Sequence, residues 1–204
     1  MINLHALTIE DNANLYGPGR RVVIWTQGCS IRCPGCTNEH LWTTKGAIEY
    51  EYKEILDFIT NQQNIEGITL HGGEPTDQIE VLLPLLYQVR KLELSIILFT
   101  GKEIESFKSV KQKEFIGLCD IVKCGPFDAR KLNRYLHFRG STNQRIIHIS
   151  DRYRHLTFND GQNTVLLDID KNGIIVSKGF SDEQMSQLIN DYGELVVSEH
   201  DSKR

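Results

Sequence analysis

Cys29-Ser30-Ile31-Arg32-Cys33-Pro34-Gly35-Cys36 carries three of the five cysteines of this 204-residue chain, spaced C-x3-C-x2-C. Just before it runs Val22-Val23-Ile24-Trp25-Thr26, an apolar stretch that reads as a buried strand. The cysteines therefore lie on the loop leaving a strand, a common place for active sites in α/β folds. Gly28, Pro34 and Gly35 suit a loop that wraps tightly around a bound group. Thiolates are the protein ligands of iron–sulfur clusters. Three on one short loop can hold three corners of a four-iron cube. No clear fourth cysteine closes the last corner, so one iron would be left for an outside ligand; electron carriers usually close all four. The same thiols could form a zinc knot, although zinc sites usually show paired C-x2-C elements and four ligands. His40 could be drafted as the fourth ligand there, and otherwise reads as an ordinary polar residue near a helix.

The rest of the composition narrows the class. Apolar residues at 40% and charged residues at 25% describe a soluble globular chain, long enough for one domain with a full core or one domain plus an appendage. A formal charge of −4 makes no electrostatic case for nucleic acid or an acidic membrane. No run of about 20 apolar residues predicts a membrane span. The N-terminus, Met1 to Glu10, lacks the basic start and apolar centre of a secretory signal. Crowded cysteines without a disulfide framework suit a reducing cytoplasm.

Along the chain, Leu4, Ala6 and Leu7 predict a short edge strand, and Tyr16-Gly17-Pro18-Gly19-Arg20-Arg21 a turn. Glu49 to about Asn61 reads as a helix with Ile55, Phe58 and Ile59 on one face. Gly67-Ile68-Thr69-Leu70 is a strand ending in His71-Gly72-Gly73-Glu74-Pro75. Ile79 to Lys91 is an amphipathic helix, with Pro84 expected to kink it or mark a later start. Ser95 to Phe99 is a buried strand ending at Thr100-Gly101, where Thr100 suits a ligand contact or a helix cap. A helix over Ile104 to Phe115 and a strand over Cys119 to Cys124 follow. Cys119 and Cys124 have no further partners and read as buried thiols rather than a second cluster site. Thr164 to Asp168 and Gly173 to Ser177 flank an Asn-Gly turn and predict a hairpin, with a helix from about Asp182 to Tyr192. The strand–helix alternation from residue 22 to about 125 is the βαβ rhythm of a parallel sheet. The expected division is a core over 1–154 and an extension over 155–204.

Set in that rhythm, the cysteine loop resembles the cluster loop of the radical S-adenosylmethionine (SAM) superfamily, whose open iron binds the amino and carboxylate groups of SAM. Gly17, Pro18, Gly19 and Arg21 match the [DN]-G-P-G-x-R segment of glycyl radical enzyme activases, with Tyr16 in place of Asp or Asn. Cys33-Pro34-Gly35-Cys36, Asn38 and Trp42 resemble the same region of the activases of anaerobic ribonucleotide reductase; Thr37 replaces their aromatic residue. Gly72-Gly73-Glu74-Pro75 is similar to the G-G-E-P motif whose backbone and acidic residue hold the SAM amino group, and His71 stands where these activases usually have Ser. Arg139-Gly140-Ser141-Thr142-Asn143-Gln144-Arg145 resembles another segment of theirs.

The resemblance covers about residues 15–150. It implies an α/β fold, an incomplete (β/α)6-like radical SAM partial barrel with a C-terminal β-hairpin and helix appendage. It implies that Cys29, Cys33 and Cys36 hold a [4Fe–4S] cluster, with SAM against Gly35, Thr37, Gly72, Gly73, Glu74, Thr100, Ser141 and Asn143. It implies reductive cleavage of SAM to a 5′-deoxyadenosyl radical that removes hydrogen from a glycine of a partner glycyl radical enzyme, an anaerobic ribonucleotide reductase. An electron donor such as flavodoxin would be the second partner. Two other readings fit the residues. One is a radical SAM enzyme modifying a peptide or small molecule, for which Thr37 and the tail leave room. The other is a non-catalytic iron–sulfur or zinc protein.

Overall fold

A nine-residue strand, β1 (Ile2–Glu10), leads through the short helix α1 (Ala13–Tyr16) into β2 (Arg21–Thr26). In chain order follow β3 (Ile48–Tyr50), α2 (Tyr52–Thr60), β4 (Gly67–Gly72), α3 (Ile79–Lys91), β5 (Ser95–Phe99), α4 (Val110–Gly117), β6 (Ile121–Cys124) and β7 (Arg145–His148). The computed structural model describes residues 1–10, 13–158, 164–169, 175–178 and 187. One seven-stranded sheet has the order β3-β1-β2-β4-β5-β6-β7. β2, β4, β5 and β6 run parallel, joined by crossovers that carry α2, α3 and α4. β1, β3 and β7 are antiparallel additions. The end strands β3 and β7 do not pair with each other, so the sheet stays open, an incomplete barrel with four parallel strands.

Strand alternation divides the sheet into two faces. One face carries Val22, Ile24, Ile68, Leu70, Ile96 and Leu98 into a core with the apolar stripes of α2, α3 and α4, among them Ile55, Leu82, Leu86 and Phe115. Most of these side chains have no exposed surface, and burying each contributes about 1.5–3 kcal/mol. Cys119 and Cys124 sit in this core, as the apolar run around them predicted. The opposite, inner face carries Val23, Trp25, Ile97, Phe99 and Ile121, covered in part by Tyr16, Leu41, Phe138 and Tyr153.

Local chemistry moved several boundaries. Leu4 to Leu7 belong to a long strand paired on both sides, and the edge is β3, formed as the chain returns after the cysteine loop. Glu49 therefore lies in a strand; the helix begins at Tyr52 because Glu54 accepts the Glu51 backbone N–H at 2.7 Å and caps it. Ile104 to Phe115 is not one helix. A single turn over Ile104–Ser106 ends at the extended Phe107, and Ser109 with Gln112 forms the capping box that starts α4. Pro84 lies inside an unbroken α3 on its exposed side, where the carbonyl it leaves unpaired can meet water. The hairpin forms from β8 (Leu166–Ile169) and β9 (Ile175–Lys178). The expected Asn-Gly turn lies outside the described residues, as does the helix from about Asp182 to Tyr192 apart from the helical Gln187.

The turn at Gly17-Pro18-Gly19 has a structural purpose. It delivers Arg21, 1% exposed, across the inner face at the N-terminal end of the parallel strands. Its guanidinium donates to Thr69 Oγ1 at 2.8 Å, Pro18 O at 2.8 Å and Ile68 O at 2.6 Å. Thr69 Oγ1 in turn donates to Tyr16 O at 2.7 Å, so one network closes this end of the sheet. Arg21→Met should leave buried acceptors unpaired and cost about 2–4 kcal/mol. The urea midpoint checks it; a loss under about 1 kcal/mol would show that water takes over the guanidinium's bonds.

Candidate functional site

The loops leaving β2, β4 and β5 are tied together by hydrogen bonds at the C-terminal ends of the parallel strands. Gly28 N donates to Leu41 O at 2.9 Å and Cys29 N to Trp42 O at 3.1 Å, closing the cysteine loop on itself. Gly73 N donates to Thr26 O at 2.8 Å and Glu74 N to Gly28 O at 2.9 Å, which fixes the Gly-Gly-Glu-Pro turn to that loop. Asp77 accepts Ser30 N at 2.7 Å, Ser30 Oγ at 2.8 Å and Lys102 Nζ at 2.8 Å, linking all three loops.

Glu74 has no exposed surface. Its Oε1 accepts Thr76 N at 3.0 Å, Thr76 Oγ1 at 2.5 Å and Thr100 Oγ1 at 2.7 Å; Oε2 accepts Gly101 N at 2.8 Å. A carboxylate has about four acceptor positions, so only Oε2 keeps capacity for another donor. Glu74 thus braces the ends of β4 and β5 first. Thr100 is part of that brace; its Oγ1 also accepts Lys102 N at 3.1 Å, but it caps no helix, since the next turn, Ile104–Ser106, has Glu103 at its N-cap. Gly72 has φ 102°, a conformation that favours glycine. Gly73 is small for a different reason: a Cβ there would stand 2.3 Å from Gly28 O, so its close neighbour is the cysteine loop's own backbone.

The three thiols of Cys29, Cys33 and Cys36 are half-buried, and burial is the main cause that pushes each of them up. Backbone N–H groups work the other way: those of Arg32 and Ile31 favour the Cys29 thiolate, that of Phe127 the Cys33 thiolate, and that of Asn38 lies 3.4 Å from Cys36 Sγ. The buried indole N–H of Trp42 has no hydrogen-bond partner. It nevertheless favours the Cys36 thiolate, so it faces that sulfur without meeting hydrogen-bond geometry. Amides aimed at thiolates are the surroundings an iron–sulfur cluster needs. Three thiols on one loop with amides aimed at them fit a four-iron cube, which spreads its thiolates over separate irons.

Gly35, exposed at φ 74°, brings the cysteine loop against the chain after β6, where a Cβ would meet Ala129 Cβ at 3.3 Å. Thr37 is exposed. Ser141 is buried, its Oγ accepting Asp128 N at 3.2 Å. Asn143 Nδ2 donates to Pro126 O at 2.8 Å, while its buried Oδ1 has no partner. Gln144 organises this loop, accepting Gly140 N at 2.8 Å and donating to Gly125 O at 3.0 Å. Ser141 and Asn143 thus stand behind the segment that faces Cys33.

Beneath the loops a row of inner-face side chains crosses the four parallel strands. Trp25 pairs with His71, the Leu70–Leu98 register sets His71 beside Phe99, and Phe99 pairs with Lys123. The His71 ring lies 4.6 Å from that of Trp25 and 4.9 Å from that of Phe99. Its Nδ1 accepts Gly72 N at 2.6 Å, which assigns the proton of the neutral ring to Nε2. Burial first, then the charge of Lys123, push His71 down to about 3. Lys123 Nζ lies 5.9 Å from the Phe99 ring centroid. Burial pushes Lys123 down to about 8, opposed first by Glu74 and then by Cys33, Cys124 and Cys36. Sequence reasoning missed Lys123, although a lone lysine in the apolar run of β6 was a signal. It also missed Asp77, for which no signal existed.

Residues 15–147 match the family described as a 4Fe-4S single cluster domain. The chain belongs to this 4Fe-4S single-cluster family. Similar relatives are the anaerobic ribonucleoside-triphosphate reductase-activating proteins of Enterobacteria phage T4 and Escherichia coli K12. The first is 30% identical over 137 residues, covering 64% of this chain and 85% of the relative. The second is 29% identical over 157 residues, covering 72% and 99%. The solved structure of QueE from Escherichia coli is similar at TM-score 0.42 and 20% identity, over 49% of this chain and 52% of that one, too partial a likeness to argue from. Family membership makes a [4Fe–4S] cluster the cofactor of this chain.

Two outcomes follow from the geometry. Gly73→Ala should force the Gly-Gly-Glu-Pro turn away from Gly28 O and lower cluster uptake several-fold on anaerobic reconstitution; full iron content in this variant would mean that the loops move apart freely. His71 stays neutral in the fold but protonates in the unfolded chain below about pH 6.5. The unfolded state then binds the extra proton, so stability falls as pH falls. Between pH 7 and 5 this group alone should remove about 2 kcal/mol. His71→Phe should therefore lose less stability over that interval than the wild type in denaturant titrations, and equal losses would mean that His71 protonates alike in the folded and unfolded chain.

Proposed function

We propose that this chain is the activase of a glycyl radical enzyme, an anaerobic ribonucleotide reductase, and that SAM and the substrate glycine meet at the ends of β2, β4 and β5. The single observation that carries this reading is the direct stitching of the cysteine loop to the Gly-Gly-Glu-Pro turn through the Glu74 N to Gly28 O bond of 2.9 Å. It sets the thiols beside a backbone cradle on adjacent strand ends, where parallel sheets bind ligands. The names of the relatives point to the same partner.

Cys29, Cys33 and Cys36 would hold the cluster, leaving one iron for SAM. When bound, the cluster and SAM supply one-electron cleavage and a hydrogen-abstracting radical. The chain's own residues bind, orient and shield. The Gly72–Glu74 backbone, fixed by Gly73 N and Glu74 N, offers carbonyl oxygens to an ammonium, with Glu74 Oε2 as the remaining side-chain acceptor. Thr100 acts through Glu74 as a positioning residue. Ser141 and Asn143 act by holding the segment after β6, and the unpaired Asn143 Oδ1 is their one free acceptor. Gly35 and Thr37 flank the loop on its exposed side. Trp25, His71 and Phe99 form a floor that excludes water from a reactive intermediate.

The unclosed sheet suits a macromolecular substrate, since a loop bearing glycine can enter where a closed barrel would bar it. A flavodoxin-like protein is the proposed electron donor, and the reducing cytoplasm the proposed setting. No helix among the described residues is long and apolar enough to cross a membrane.

Anaerobic reconstitution tests this reading. The wild type should bind about four irons per chain, and the Cys29/Cys33/Cys36 triple Ala variant almost none. With SAM, dithionite and an anaerobic ribonucleotide reductase, the wild type should generate a glycyl radical visible by electron paramagnetic resonance. SAM cleavage without that radical would favour a peptide or small-molecule substrate. Iron retained by the triple variant would end the cluster assignment.

A further inference from the structure

Lys123 is an inner-face residue whose chemistry the activase reading leaves unused. A buried ammonium needs a counter-charge or hydrogen-bond acceptors, because moving it out of water without them is costly. Lys123 Nζ has no hydrogen bond or ion pair among the described residues; its near contact is the face of Phe99, 5.9 Å from the ring centroid. Lys123 is half-buried on the inner face, in register with Phe99.

Its position is set by the sheet. Lys123 is in register with Phe99, and its carbonyl accepts Thr100 N at 2.9 Å. Thr100 Oγ1 reaches Glu74, whose backbone N–H holds the cysteine loop at Gly28. Past Lys123 the chain turns through Gly125-Pro126 and brings the Phe127 N–H to the Cys33 thiol. The charged and titratable groups facing Lys123 are Glu74, Cys33, Cys36 and Cys124, with His71 beyond Phe99. Glu74, the strongest of these charges, is held by its own four donors and makes no hydrogen bond or ion pair with Lys123 among the described residues. Cys124 is buried in the helix-side core. Beside Glu74, the ammonium has the negative charge that the thiolates of Cys33 and Cys36 carry when iron is bound.

We propose that Lys123 is a positioning residue for charge: its ammonium compensates the thiolate-bound cluster from below and makes reduction of that cluster easier. Reduction adds one electron, and so one negative charge, from a low-potential one-electron donor; no bond is made or broken and no proton moves. A fixed positive charge in the low-dielectric interior stabilises the more negative state, and cluster potentials follow net charge and surroundings. Lys123 therefore acts on cluster reduction rather than on SAM binding. This rests on the activase reading for the presence of the cluster.

The test is a dithionite titration of the reconstituted protein without SAM, followed by electron paramagnetic resonance, alongside SAM affinity for the oxidised cluster. Lys123→Met keeps the length and removes the charge. It should lower the equilibrium constant for reduction tenfold or more, 59 mV for a one-electron couple, with SAM affinity within twofold of wild type. Lys123→Arg should stay close to wild type. Should the Met variant not take up iron, Lys123→Gln gives the same comparison. Iron lost from both uncharged variants but kept by Arg also supports the charge role; iron lost from all three overturns it, since shape would then be the requirement. An unchanged potential in an iron-loaded Met or Gln variant overturns it, as does a tenfold loss of SAM affinity at unchanged potential, which would assign Lys123 to the SAM carboxylate. A wild type that takes up no cluster defeats the activase reading itself, whereas a loaded wild type with an indifferent Lys123 variant defeats the Lys123 proposal alone.

Discussion

The buried carboxylate of Glu74 holds the working end of the molecule together. Its two oxygens gather Thr76 from its own turn and Thr100 and Gly101 from the end of β5. Its backbone N–H holds the cysteine loop at Gly28. A buried carboxylate is tolerable only when donors satisfy it, and here every donor comes from a segment that must be in place for the site to exist. One residue thereby couples three strand ends. The thiols have no comparable anchor of their own: Cys29, Cys33 and Cys36 are positioned because the loop's first residues are bound to Leu41, Trp42 and Glu74.

The sheet divides labour between its faces. The helix side is almost entirely aliphatic and gives the stability. The inner face mixes rings with Arg21, Thr69, His71 and Lys123, groups that a core would normally exclude. Each of these has to be accounted for by a partner. Arg21 and Thr69 are satisfied by backbone and by each other. His71 is satisfied by losing its charge, with Gly72 N–H on Nδ1. The polar inner face is thus stable at its N-terminal end and under-satisfied toward the loops.

Much of this was legible from residue order. The strand–helix rhythm named β4, α3 and β5 within a residue or two, since long apolar runs and a 3.6-residue stripe leave little choice. The cysteine loop and the Gly-Gly-Glu-Pro turn were legible as motifs, and their placement at adjacent strand ends followed. What escaped was set by tertiary contacts. The start of α2 is set by a capping box that directly follows β3, the strand by which the chain returns to pair with β1. Gly73 reads as a residue that lets backbone approach a ligand, yet the backbone it lets in is that of Gly28. Glu74 reads as an acceptor for an ammonium, yet its acceptors are mostly spent on Thr76, Thr100 and Gly101. A motif names residues that must be present; it does not say whether a ligand or the chain itself uses their atoms.

The two inner-face cations make the polarity of the site explicit. Arg21 and Lys123 lie on the same face of one parallel sheet, Arg21 at the N-terminal end of β2 and Lys123 near the C-terminal end of β6. Both are pushed down by burial, so both feel the same low-dielectric interior. Arg21 answers that environment with Thr69 and three carbonyl oxygens, those of Pro18, Ile68 and, at 3.3 Å, Ser95. Lys123 answers it with a ring face and no acceptor within hydrogen-bond reach among the described residues. A fold that satisfies one cation so fully and leaves the other bare has not failed at the second. The difference follows the direction of the strands: the N-terminal end is closed by the chain, and the C-terminal end is left to be completed by what binds there.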